Sequence, residues 1–107
     1  PDVYADVFVN AHSLIHRSWR TVLDQVECWL VPRARHWIEV EGSRKALRLE
    51  GTTYRYSPAE PERTTVVLAL ARDQIVSLTV RAVERADVQA ELDRIIQSFR
   101  IVDLDPG

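Results

Sequence analysis

The sequence is short of the residues on which many functional classes depend. It holds a single cysteine, Cys28, so no intrachain disulfide can form. A domain of this length folds without one, and the redox compartment therefore stays open. Three glycines, Gly42, Gly51 and Gly107, supply neither a Gly-rich phosphate loop nor a dinucleotide-binding turn. There is no Gly-x-Ser-x-Gly nucleophile element. Lys45 is the one lysine beside many arginines, a bias that reflects codon supply in a GC-rich genome, such as an actinobacterial one, rather than function. The formal net charge is −2, which counts against nucleic-acid binding driven by bulk positive charge. No apolar run approaches the roughly 20 residues of a membrane span, so no transmembrane segment is expected within the sequence. Methionine is absent and the chain starts at Pro1. The expectation is a fragment or processed product, with any leader upstream.

What is present suits one domain, residues 1–107. Hydrophobic residues make up 46% and charged residues 28% of the chain, enough to bury a core. Tyr4 to Asn10 alternates, with Val3, Ala5, Val7 and Val9 on one side, and reads as a strand. Ser13 offers an N-cap to a helix whose stripe is Leu14, Ile15, Trp19, Val22, Leu23, Val26 and Leu30, stopped by Pro32. Trp37 to Glu41 alternates again, and Gly42 with Ser43 supplies a turn. Arg44 to Tyr56 is a long strand with a bulge or bend expected at Gly51. Leu47 and Leu49 face the core, with Arg48 and Glu50 opposite. Ser57 to Arg63 is a proline-bearing loop. Thr64 to Ala71 and Gln74 to Val83, separated by Arg72 and Asp73, predict a tight antiparallel hairpin. Asp87 caps a second helix with the stripe Val88, Leu92, Ile95, Ile96 and Phe99, and Arg100 to Asp105 forms a short strand or a tail over the sheet. The class is α+β, order β-α-β-β-β-β-α, with a central antiparallel sheet and two helices packed on one face or on opposite faces.

Few residues suggest chemistry. His12 and His16 stand at i, i+4, a ligand spacing if both are helical, but His12 can equally precede the cap and lie off the helix, the glutamate of zinc-enzyme motifs is missing between them, and solvated histidines are the favoured reading. Cys28 lies in an apolar helical stretch and reads as a buried thiol rather than a nucleophile. Glu39 and Glu41 share a strand side and read as a solvated pair. No metal and no cofactor is called for. The outward residues of the middle strands are the best binding candidates: Trp37, Arg44, Arg48, Tyr54, Arg55 and Tyr56 combine arginine with aromatics, as contact surfaces do. The competing and favoured reading is that the arginines pair with Glu39, Glu41 and Glu50 across the strands.

The segment TVVLALARDQIVSLTVRAVERADVQAELDRIIQSFRIV, which closes on Ser98, Phe99, Arg100, Ile101 and Val102, resembles the end of bacterial PsbP-like domains, including LpqN-type lipoproteins. VEGSRKALRLEGTTYR resembles the middle of the same family. The likeness covers about two thirds of the chain; the family's opening strands are missing, which leaves room for an exposed sheet edge. The resemblance implies an α/β/α sandwich without catalytic residues. Function in such a family is not fixed by fold. The leading expectation is a non-catalytic binding or accessory domain, envelope-associated or secreted, that presents a sheet face or edge to a protein or an amphiphilic ligand, with a homodimer as one form. The alternatives are a cytoplasmic chaperone or immunity-type partner of a secreted effector, and a small enzyme whose site the sequence does not reveal.

Overall fold

The computed structural model describes residues 5–14, 17–53, 61–83 and 89–102. Its elements are β1 (Ala5–Ser13), α1 (Trp19–Trp29), β2 (Val31–Ile38), β3 (Lys45–Thr53), β4 (Glu62–Ala71), β5 (Gln74–Val83) and α2 (Gln89–Ser98). The strands form one antiparallel sheet in the order β1-β5-β4-β3-β2. Class and element order are those expected from the sequence.

The hairpin β4–β5 is the centre of the sheet, and it is buried on both sides, largely by apolar residues with Thr64, Thr65, Ser77 and Thr79 among them. Val66, Leu68 and Ile75 cluster with Val22, Leu23 and Val26 of α1, whereas Val67, Ala69, Leu78, Val80 and Ala82 cluster with Leu92 and Ile96 of α2. The helices thus lie on opposite faces. The period-2 pleat assigns the sides: Val66 stands opposite Thr79 and Val67 opposite Leu78, so Val66 and Leu68 lie under the first helix while Leu78 and Val80 lie under the second.

Several boundaries differ from expectation. β1 runs on to Ser13 because β5 offers it a partner along its whole length, Ala5 opposite Ala82 to Ser13 opposite Gln74. The cap of α1 moves accordingly to Ser18, whose Oγ accepts the N–H of Thr21 at 3.1 Å. The helix ends at Trp29, and β2 begins at once, before Pro32. Proline is tolerated there because β2 is an edge strand, and the register slips between Pro32 and Ala34. The irregularity near Gly51 therefore sits on its neighbour: Gly51 pairs with Pro32, while its own ladder to β4 is unbroken. A side chain at 51 would strike the Val31 carbonyl and Leu30, which explains glycine at that point. β4 starts at Glu62, inside the expected loop, and Glu62 is buried.

The last described residues form no strand. Instead the Ile101 N–H donates to the Glu41 carbonyl at 2.8 Å, and Ile101 packs against the α2-side core. Gly42, at φ 89°, lies so close to the Ile101 carbonyl that a Cβ would collide with it. The expected cap Asp87 and stripe residue Val88, and Tyr54, Arg55 and Tyr56, lie outside the described residues.

Candidate functional site

The pleat of β2 and β3 divides the binding candidates. Trp37 stands opposite Leu47 and so lies on the α1 side; His36 stands opposite Arg48 on the α2 side. Trp37 and Arg48 therefore never meet. Trp37 is 64% exposed, and its ring stacks on Trp19, the first residue of α1, with centroids 6.3 Å apart and planes 14° from parallel. Lys45, the first residue of β3, brings its Nζ to 4.5 Å from the Trp19 centroid and 5.9 Å from that of Trp37. Three elements thus converge: the capped start of α1, the edge strand β2 and the start of β3. The ammonium over two indoles is a cation–π arrangement that holds both rings in place. Arg35, on the same side of β2, lies 3.5 Å from Glu27 of α1. Trp29 and Val31, at the α1–β2 junction, are also exposed.

Trp19 and Lys45 were not singled out from the sequence. Trp19 falls on the helical stripe and reads as core, but it sits at the helix end, beyond the fully covered part of the sheet. Lys45 carried a usable signal. It alternates with Leu47 and Leu49, which puts the only lysine on the same side as the core leucines.

The remaining candidates have other engagements. Arg44 donates through Nη2 to the Arg72 carbonyl at 2.6 Å, which clamps the β2–β3 turn to the β4–β5 turn. Arg48 reaches Glu50 (Nε to Oε1, 2.7 Å) and Asp93 of α2 (Nη2 to Oδ1, 3.5 Å). This agrees with the pairing reading for Arg48, although Glu50 is two residues along the same strand rather than across it. Glu39 and Glu41 lie beyond the end of β2 and are exposed. They rim a cleft of about 890 Å³ with Arg44, Lys45, Gln97 and Arg100. Its lining mixes charges of both signs with no convergent donor set, so it selects no ligand class.

The cysteine reading changes, and of the two placements open for His12 the structure takes the one off the helix. His12 is a strand residue opposite Ile75, so the helical i, i+4 pair with His16 does not exist; His16 is outside the described residues. Cys28 is exposed, because the buried face of α1 is set by Val22, Leu23 and Val26 and residue 28 turns away from it. Among the described residues no group of three or more His, Cys, Asp or Glu is placed to hold a metal ion, and no helix is long and apolar enough to cross a membrane.

Fold and surface define a three-layer α+β domain with an aromatic patch on one sheet edge. No family model matches the chain, and neither a curated protein nor a solved structure matches it.

Proposed function

We propose that this is a non-catalytic binding domain that holds a protein partner through the Trp19–Trp37–Lys45 surface. One observation carries the reading: a large aromatic side chain, Trp37, stays 64% exposed while being fixed by a stacked ring and a cation. A rigid, exposed tryptophan gives much contact area at low entropic cost on binding, and interface hot spots are enriched in such residues. Arg35, two residues from Trp37 on the same side of β2, extends the patch with an exposed arginine. The partner is held by side chains rather than by strand addition, since Pro32 and the register slip spoil part of the β2 edge for pairing. The resemblance to PsbP-like domains supports a non-catalytic role and an envelope-associated setting.

The test is site-specific photo-crosslinking in the producing cell. A benzoylphenylalanine at position 37 is expected to give a discrete adduct with one protein, and the same probe at the exposed Glu91 on α2 is not. With that partner purified, Trp37→Ala is expected to weaken binding about 30-fold or more while leaving the circular dichroism spectrum unchanged. Equal adducts from both positions, or an affinity indifferent to Trp37→Ala, overturn the reading. So does a Trp37 emission that shifts only with lysophospholipid micelles, which assigns the patch to an amphiphile.

A further inference from the structure

We infer that the outer edge of β1 is a self-pairing surface, on which a second copy of this chain adds its own β1 antiparallel and joins the two sheets into one. This stands on the sheet edge opposite the tryptophan patch and does not depend on it.

The two edges are built differently. β2 carries a proline, a register slip and the exposed Arg35, devices that blunt an edge. β1 carries none of them. Its nine residues pair with β5 in unbroken register from Ala5 to Ser13, and they include no proline, glycine, lysine or arginine. Among the described residues nothing pairs with its other side. An edge of about 30 Å is therefore left open among the described residues.

The side chains next to that edge are apolar where solvent should select polar ones. Val7 is 46% and Val9 55% exposed, and Ala11 is exposed too. Val7 and Val9 stand opposite Val80 and Leu78, which are buried in the α2-side core. The apolar row of the core thus continues past the cover of α2 into water.

A second copy fits because the strand is complementary to itself, as a two-fold interface requires. With the dyad at Val9, the midpoint of β1, all nine residues of each copy are matched. Val9 faces Val9 of the second copy, Val7 faces Ala11, Ala5 faces Ser13, and Asp6 falls opposite His12 at both ends. The valine–alanine row of each copy meets its counterpart on one side of the joined sheet, and the acidic position meets the imidazole position rather than its own kind. Moving the dyad one residue, to Phe8, matches only residues 5–11 of the described strand to one another.

The experiment is the mass of the full chain in solution, by sedimentation equilibrium from about 1 to 200 µM, together with a cysteine series on a Cys28→Ser background. A dimer is expected. Val9→Lys sets two like charges face to face at the dyad and is expected to raise the dissociation constant about tenfold or more, while Trp37→Lys at the other edge leaves the mass unaltered. Under mild oxidation Val9→Cys links to itself, Val7→Cys alone does not, and Val7→Cys mixed with Ala11→Cys does, because only directly opposed positions meet disulfide geometry. Circular dichroism checks each variant for folding; should Val9→Lys unfold, the cysteine series decides. A monomer over the whole range, a dimer that folded Val9→Lys leaves intact, or self-linking of Val7→Cys overturns the proposal.

Discussion

On the α1 side the sheet presents Leu47, Leu49, Val66, Leu68 and Ile75; on the α2 side it presents Ala46, Val67, Ala69, Leu78, Val80 and Ala82. Under α1 the sheet supplies large side chains of its own, and Val22, Leu23, Val26 and Leu30 add to them, with Leu14 and Trp19 partly buried at the margin. Under α2 the sheet is paved with smaller residues, and the bulk comes from Leu92, Ile95, Ile96, Phe99 and Ile101 on the helix and the tail behind it. Since interiors are close-packed whichever layer provides the atoms, the two faces should fail in opposite ways. The first is vulnerable to removal of sheet side chains, the second to their enlargement.

The strongest challenge is Leu68→Ala. Leu68 is 0% exposed at the centre of β4, and on the bulky face nothing small enough to move stands ready to fill the hole. The expected loss is about 2–5 kcal/mol in urea unfolding. A loss under about 1 kcal/mol would mean that α1 settles into the gap, and the contrast between faces would break. Next in size is Ala69→Leu, one residue along and on the other face. Ala69 is also 0% exposed, and the added branch has to displace α2 or the tail. The expected cost is about 1–3 kcal/mol, although the substitution adds apolar surface. A neutral or stabilising result would show unfilled space under α2 and reverse the assignment of that face.

This contrast was only partly legible in the sequence. The strands β4 and β5 announced themselves, because β-branched alternation around a two-residue turn is a local signal. Their apolar runs also mark burial on both sides, but which helix covers which row is a matter of long-range packing that periodicity does not contain. The same limit explains β1 and α1. Where β1 stops is decided by β5, more than 60 residues away, and the Leu14 N–H donating to the Asp73 carbonyl at 2.8 Å ties the strand's end to the far turn. Ser13, a good cap by type, is thereby used up in the sheet, and Ser18 caps instead. At the candidate site, Trp37 was legible as an outward aromatic. Its partners were not, because Trp19 lies on a helix and Lys45 on the next strand, and neither local pattern encodes their convergence. Arg48 was placed with Trp37 by composition, yet strand parity sends the two to opposite faces.

Arg48 gives the finest probe of the contrast, since it is a cation that links sheet to helix on the α2 side, as Arg63 is through its Nη1 donating to Gln89 Oε1 at 2.7 Å. Its Nε lies 2.7 Å from Glu50 Oε1, but the N–H is not aimed for a hydrogen bond, and its Nη2 is 3.5 Å from Asp93 Oδ1. Asp93 also accepts from Gln89 Nε2 at 2.8 Å, so it keeps a partner when the arginine goes. The side chains of Glu50 and Asp93 are 36% and 40% exposed, and water screens pairs of this kind. Arg48→Met keeps the aliphatic stem over the small-residue floor while deleting the charge. It is expected to cost less than about 1 kcal/mol, with the gap to the parent closing further in about 1 M salt, where the Debye length falls to roughly 3 Å. If α2 were held to the sheet by this charge rather than by Leu92 and Ile96, the loss would exceed about 2 kcal/mol and would persist in salt. Unfolding curves for parent and variant at low and high salt separate the two cases, and the second would make electrostatics, not supplied bulk, the distinguishing feature of the α2 face.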